Sequence, residues 1–95
     1  MINSKQRAVL RKMANTIEPV IHIGKGGITE NLIQQTEQTL YSKELVKFSI
    51  LRNVTDPVRE ICENIAKQTE ADIVQIIGRK FVLYKKNPDE PVLMI

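Results

Sequence analysis

Residue types that often build functional sites are scarce in this 95-residue sequence. It has one cysteine, one histidine, no tryptophan and only two tyrosines and two phenylalanines. A lone Cys62 cannot form an internal disulfide, and with His22 it cannot supply the ligands of a zinc site. We therefore predict no metal ion, no cofactor and an aliphatic core built from Ile, Val and Leu.

The sequence also lacks the residue sets of common catalytic sites. Any Ser/His/Asp or Cys/His arrangement would depend on His22, which lies inside a predicted strand and is interpreted as a packed or surface-lining side chain. Cys62 lies on the apolar face of a predicted helix, where a buried, inert thiol is expected. The acidic residues between 60 and 72 fit a solvated surface. We predict no catalytic residues, no enzymatic activity and no small-molecule substrate.

Long apolar segments are absent as well. The apolar runs span only a few residues, too few to cross a membrane, and residues 1–15 lack the continuous apolar stretch of a signal peptide. We expect a cytoplasmic monomer without a membrane partner. Residues 1–86 are predicted to form one domain, and the turn-rich residues 87–95 a short C-terminal tail.

Basic residues are concentrated in two segments. Residues 1–29 carry a net charge of +4 and residues 73–88 another +4, whereas residues 30–72 carry −3 and residues 89–95 carry −2. If the fold brings the basic segments together, they form one positive surface that suits a polyanion. If it does not, they are separate solvated faces, and the charge pattern alone leaves both possibilities open.

Hydrophobic periodicity predicts seven elements in the order α-β-α-β-α-β-β. Helical connections imply that the early strands pair in parallel, and a turn at residues 78–80 implies a terminal antiparallel hairpin. The expected fold is of the α/β (α+β) class, with three helices packed on a four-stranded mixed sheet. The predicted helix starts are marked by Asn3 or Ser4, by Thr29, and by Asp56 as a cap before Pro57 at the first helical position.

The segment Gly24-Lys25-Gly26-Gly27 lies between a predicted strand and a predicted helix N-terminus. Free N–H groups at a helix start attract phosphate, glycines let a nucleic-acid backbone approach closely, and Lys25 adds a cation. The spacing is not that of a P-loop, and Thr29 replaces the last glycine of G-x-G-x-x-G. An ordinary turn is the alternative. Three glycines in four residues exceed what one turn needs, which favours phosphate binding.

Further phosphate contacts depend on how the chain folds. Arg79 and Lys80 lie at the predicted hairpin tip, and Lys5, Arg11 and Lys12 fall on the solvent side of the first helix. Each of these side chains, taken alone, is more simply a solvated cation. They form a single site with the glycine segment only if the sheet topology places them beside it.

Four stretches of the sequence carry a family resemblance: residues 4–7 (SKQR), 19–29 (PVIHIGKGGIT), 44–47 (ELVK) and 75–84 (QIIGRKFVLY). Together they resemble the CRM domain family (chloroplast RNA splicing and ribosome maturation), in its stand-alone bacterial YhbY form. The resemblance covers about residues 2–86. It implies a fold similar to the C-terminal domain of translation initiation factor three, and RNA binding through a KH-like G-x-x-G loop.

The resemblance also implies a partner and a set of contact residues. The partner is rRNA in precursors of the large ribosomal subunit, which makes ribosome assembly the expected role. Carried over by position, the RNA-binding residues are Gly24, Lys25, Gly26 and Gly27 in the loop, with Lys5, Arg11, Lys12, Arg79 and Lys80 on the adjoining basic surface.

The C-terminal tail departs from the family pattern. Some members end in a basic tail, whereas residues 89–95 (DEPVLMI) are acidic and then apolar. We therefore expect this tail to make no RNA contact, and either to pack on the domain or to touch a partner. The alternative function is a protein-interaction adaptor that uses the apolar C-terminus and the acidic third helix.

Overall fold

The computed structural model describes residues 2–95, and its elements follow the predicted order. This confirms the α+β fold with three helices and a four-stranded mixed sheet. The helices are α1 (Ser4–Ala14), α2 (Glu30–Lys43) and α3 (Val58–Thr69), and the strands are β1 (Ile21–Ile23), β2 (Leu45–Ile50), β3 (Asp72–Ile77) and β4 (Lys80–Tyr84).

The strands are arranged in the order β1-β2-β4-β3. Strand β1 pairs with β2 in parallel, as expected when a helix connects them, and β4 pairs in antiparallel with both β2 and β3. The terminal hairpin therefore places β4 in the middle of the sheet. Gly78 begins the hairpin turn with a φ of 59°, a conformation that glycine adopts without strain.

Helices cover both faces of the sheet, but unequally. Helices α2 and α3 pack on one face over an aliphatic core that contains Phe48 and Phe81, whose rings stack with centroids 4.5 Å apart. Helix α1 lies on the other face, where Leu10 and Ala14 pack in a smaller cluster with Val82 from β4. Because α1 is a single short helix, it covers only part of its face.

Two of the three helix starts have the predicted caps. Asn3 and Gln6 form a reciprocal capping box at α1, and the Thr29 hydroxyl accepts the N–H of Leu32 at 3.1 Å. The prediction for α3 is wrong. Pro57 is extended, with a ψ of 134°, so it precedes the helix instead of opening it, and no side chain caps this end.

The C-terminal tail packs on the domain, and several of its backbone N–H groups meet one buried carboxylate. Glu44, which ends α2, accepts the backbone N–H groups of Asn87 at 2.6 Å, Val92 at 2.9 Å and Leu93 at 2.6 Å. Burial raises the pKa of Glu44, but these donors and the charge of Lys86 outweigh it and hold the pKa below its ordinary value of 4.5.

Candidate nucleic-acid interface

The glycine loop, residues 24–27, is a tight turn that leaves the end of β1. The N–H of Gly27 donates to the carbonyl oxygen of Gly24 at 2.9 Å, so Lys25 and Gly26 are the central residues and both are exposed. Gly27 has a φ of 68°, which favours glycine. Gly26 does not have a positive φ, and a Cβ added there would meet no atom within 4 Å. The turn therefore needs glycine at position 27 but not at position 26.

Helix α2 begins close to this loop but is not part of it. Ile28 and Thr29 separate the loop from Glu30, the first helical residue. The first N–H groups of a helix have no intrahelical acceptor and carry partial positive charge. Glu30 already places a carboxylate in this first turn. The loop itself is therefore a better place for a phosphate than the helix end.

Arg79 holds the segment that follows β2 against the glycine loop. Its guanidinium donates to three backbone carbonyl oxygens, those of Ile50 at 3.2 Å, Leu51 at 2.7 Å and Val54 at 2.7 Å. The N–H of Leu51 donates to the carbonyl oxygen of Ile23, just before the loop, at 2.9 Å. Arg79 therefore lies next to the loop, as the sequence required of a site residue, but its contacts are those of a supporting side chain.

Lys80 lies at the same end of the sheet with a freely exposed side chain. The strand register aligns His22 with Ser49, Ser49 with Lys80, and Lys80 with Ile77. This row crosses all four strands just below the glycine loop, on the face opposite α2 and α3. The topology thus brings the hairpin tip to the end of β1, which the sequence left open.

The C-terminal end of α1 reaches this region too, since Asn15, just after the helix, lines a hollow with Ile77 and Lys80. Lys47 of β2 donates from Nζ to the carbonyl oxygens of Ala14 at 3.2 Å and Ile17 at 3.3 Å, which fixes where the helix ends. Arg11 and Lys12 lie in the last turn of α1 and are exposed. The sequence carries no signal for this role of Lys47, because its acceptors belong to a segment about thirty residues away.

Lys5 lies at the other end of α1. Its neighbour Gln6 lines an open groove of about 790 Å³ at the opposite end of the sheet, together with Tyr84 and tail residues such as Met94. The structure therefore gathers most of the predicted basic residues at the loop end, but it places Lys5 near the tail. The residues at the loop end are Gly24, Lys25, Gly26, Gly27, Arg11, Lys12, Arg79 and Lys80.

Other kinds of site find no support in residues 2–95. No group of three or more His, Cys, Asp or Glu side chains there is placed to hold a metal ion, and no helix there is long and apolar enough to cross a membrane. Cys62 is buried in the core, and burial raises its pKa to about 12. A thiol with so high a pKa has almost no thiolate at neutral pH and is a poor nucleophile.

Comparison with known proteins identifies the family of this chain. The model of the CRS1/YhbY (CRM) domain matches residues 2–85. The chain belongs to the CRM domain family. The match includes β1, the glycine loop and the β3–β4 hairpin, so every residue gathered at the loop end lies within the CRM domain.

Two relatives and one solved structure match this CRM domain over nearly their full length. The chain is 35% identical over 89 residues to the probable RNA-binding protein YqeI of Bacillus subtilis, covering 94% of this chain and 93% of the relative. It is 29% identical over 91 residues to an RNA-binding protein of Haemophilus influenzae, covering 96% and 92%. The solution structure of the hypothetical protein SAV1595 from Staphylococcus aureus superposes with a TM-score of 0.77, at 40% identity, covering 99% and 100%.

Proposed function

We propose that this CRM domain is a non-enzymatic RNA-binding protein whose glycine loop holds the RNA backbone. The observation that carries the proposal is the open space around Gly26. The turn does not require glycine there, yet its absent side chain leaves open space beside the exposed Lys25. A backbone without side chains lets phosphate oxygens approach N–H groups directly. Relatives named RNA-binding proteins support the same conclusion.

The surrounding side chains have separate tasks in this proposal. Lys25, Lys12 and Lys80 contact phosphates as mobile point charges, and Arg11 contacts them as a planar donor. Arg79 is a positioning residue, since its guanidinium is engaged by backbone carbonyls. Contacts to phosphates fix the orientation of the RNA but discriminate little between base sequences. The dissociation constant of the isolated protein for RNA is then expected at about 10⁻⁴–10⁻⁶ M at physiological salt.

The proposed partner is rRNA in precursors of the large ribosomal subunit, bound by a cytoplasmic monomer that acts in ribosome assembly. The resemblance to stand-alone YhbY-type proteins supports this partner. Crosslinking in cells, followed by sequencing of the bound RNA, tests it. Reads concentrated on large-subunit rRNA and its precursors are expected, and reads spread evenly over messenger RNA would contradict it.

The loop is tested by replacing Lys25 and Gly26 together with Asp. Both positions are exposed and a Cβ at position 26 meets no neighbour, so the double variant is expected to fold normally. Its affinity for single-stranded RNA should fall at least about tenfold, because two carboxylates replace the cation and the open backbone. The matched control is Asn64→Asp with Lys67→Asp on exposed positions of α3, which changes the net charge equally.

Fluorescence anisotropy with a labelled RNA oligonucleotide measures both affinities, and thermal unfolding checks both folds. The control variant should bind within about twofold of the unmodified protein, since a distant charge is screened at physiological salt. If the folded loop variant binds RNA as well as the control does, the loop is not the contact point.

The adaptor alternative is supported by one observation. Met94 at the C-terminus is 98% exposed, and it lines the groove of about 790 Å³ with Ile2 and Leu93. If the protein is an adaptor, removal of residues 92–95 should abolish co-purification of its protein partner. If it is an RNA-binding protein that uses the loop, RNA should still co-purify with the shortened chain. Co-purification from cells that express the full and shortened chains compares the two functions.

A further inference from the structure

One row of a sheet face is left open next to the glycine loop. Helix α1 covers Val82 and Tyr84, but the row of residues nearest the loop has no helix over it. His22 and Lys80 in this row are exposed, and Ile77 is 62% exposed although it is a large aliphatic residue. The row crosses four strands and so extends over about 14 Å, three times the usual strand spacing.

The side chains on this open face suit a nucleotide base. The imidazole of His22 and the aliphatic side chain of Ile77 offer flat or apolar contact surfaces, and Lys80 provides a cation between them. Beside the row, a hollow of about 80 Å³ is lined by Asn15 and Gln75, among others, and their amides can donate to and accept from base edges.

The two rows of this face nearest the glycine loop contain no acidic side chain. The row of His22, Ser49, Lys80 and Ile77 contains no carboxylate, and neither does the next row, which aligns Lys47 with Val82 and Gln75. The charge of this surface is therefore complementary to a polyanion. It continues directly into the glycine loop, since Gly24 follows His22 by two residues, about 7 Å along an extended strand.

We propose that this open face binds unpaired bases of a single-stranded RNA segment whose backbone lies on the glycine loop. The inference rests on the proposed function and adds which part of the RNA is recognised. His22 stacks on one base, Ile77 packs against another, and Asn15 and Gln75 contact base edges in the hollow. Double-stranded RNA cannot make these base contacts, because its bases are stacked inside the helix.

The test compares His22→Ala, His22→Phe and Ile77→Ala with Val92→Ala, which truncates another exposed aliphatic residue, in the tail. The probes are a ten-nucleotide single-stranded RNA containing 2-aminopurine and a blunt duplex of the same sequence. His22→Ala should weaken single-strand binding about fivefold or more, because stacking on one ring contributes about that much per base. Ile77→Ala should weaken it less, and Val92→Ala should leave it unchanged.

His22→Phe separates stacking from a merely structural role. It keeps an aromatic ring, so it should retain single-strand affinity and quench 2-aminopurine fluorescence, whereas His22→Ala should lose the quenching. Duplex binding should not respond to any of these changes. Equal single-strand affinities of His22→Ala and the unmodified protein would overturn the inference, as would capture of a protein partner, not RNA, that the same change abolishes.

The loop variant distinguishes this failure from failure of the proposed function. If the Lys25 and Gly26 double variant loses RNA binding while His22→Ala does not, the loop holds RNA and only the open-face inference is wrong. If the unmodified protein binds neither probe above background, the proposed function and the inference fail together.

Discussion

Arg79 and Lys80 are adjacent in the sequence but differ in what they contact. The Arg79 guanidinium donates to the carbonyl oxygens of Ile50, Leu51 and Val54, whereas the side chain of Lys80 is exposed. The sequence predicted that both lie at a hairpin tip, which the structure confirms. It could not predict the acceptors, because they lie more than twenty residues away and are backbone atoms without a sequence signal.

Arg79→Lys should destabilise the fold, although it keeps the charge. Lysine has a single donor nitrogen in place of the Nε and Nη2 that contact these carbonyl oxygens, so about 2 kcal/mol of unfolding free energy should be lost. Lys80→Ala should change stability by less than about 0.5 kcal/mol, as expected for an exposed residue, and should weaken only RNA binding. Chemical denaturation of both variants measures the difference, and an Arg79→Lys protein as stable as the unmodified one would contradict the supporting role.

The turn that forms the glycine loop has different requirements at two adjacent positions. Gly27→Ala should cost about 1–2 kcal/mol of stability, because a side chain at a φ of 68° is strained. Gly26→Ala should leave stability nearly unchanged, since its Cβ meets nothing within 4 Å, but should weaken RNA binding several-fold by keeping the phosphate away. Thermal unfolding and RNA titration of the pair test this. The reverse pattern in stability would mean that the turn is built differently.

Glu44, at the end of α2, accepts three backbone N–H groups of the C-terminal tail. Glu44→Gln replaces one acceptor oxygen with a donor that faces the N–H groups of Asn87, Val92 and Leu93. We expect a loss of about 2 kcal/mol and faster hydrogen exchange in residues 87–93. An unchanged exchange rate in the tail would show that Glu44 does not hold it.

The same contact makes part of the stability sensitive to acid. The pKa of Glu44 is lowered in the folded state, so its stabilisation is complete above the ordinary value of 4.5 and is lost as the pH falls through the folded-state pKa. The stability difference between Glu44→Gln and the unmodified protein should therefore shrink on acidification. Denaturation curves collected from pH 7 downwards measure it.

Element order, strand pairing and most caps could be predicted from sequence, because periodicity and capping residues are local signals. The cap at Asp56 was wrong, since the proline that follows it is extended and delays the helix by one residue. The tail contact to Glu44 had no such signal. It joins a helix end to a segment more than forty residues later, through backbone donors that any sequence would supply.

At the scale of the whole molecule, the strand order of the sheet determines which charged residues lie close together. Placing β4 between β2 and β3 puts the hairpin tip at the same end of the sheet as the glycine loop. Helix α1 ends close to that tip, since Asn15 lines a hollow with Lys80. Part of each basic segment is therefore brought to the loop end, which the charges alone left undecided. Lys5 lies away from the loop, because a helix of 11 residues is about 16 Å long and its start lies near the tail. Lys85 and Lys86 also lie at that opposite end, where they line the groove with the tail.

This convergence predicts a defined salt dependence. The proposal assigns phosphate contacts to four exposed cations: Arg11, Lys12, Lys25 and Lys80. On single-stranded RNA, the logarithm of the binding constant should fall with the logarithm of salt concentration with a slope of about −3. Lys12→Ala should reduce the slope by about 0.7, and Lys5→Ala should change it less. A slope that does not depend on Lys12 would separate α1 from the interface.

The central claim is that RNA lies along the loop end of the sheet. The chemical shifts of backbone amides, followed while unlabelled single-stranded RNA is added to the isotope-labelled protein, test it most directly. We predict that the largest shifts occur at His22, Gly24–Gly27 and Lys80, with smaller ones at Arg11 and Lys12. Shifts centred on α3 or on residues 87–95, with the glycine loop unaffected, would contradict the account.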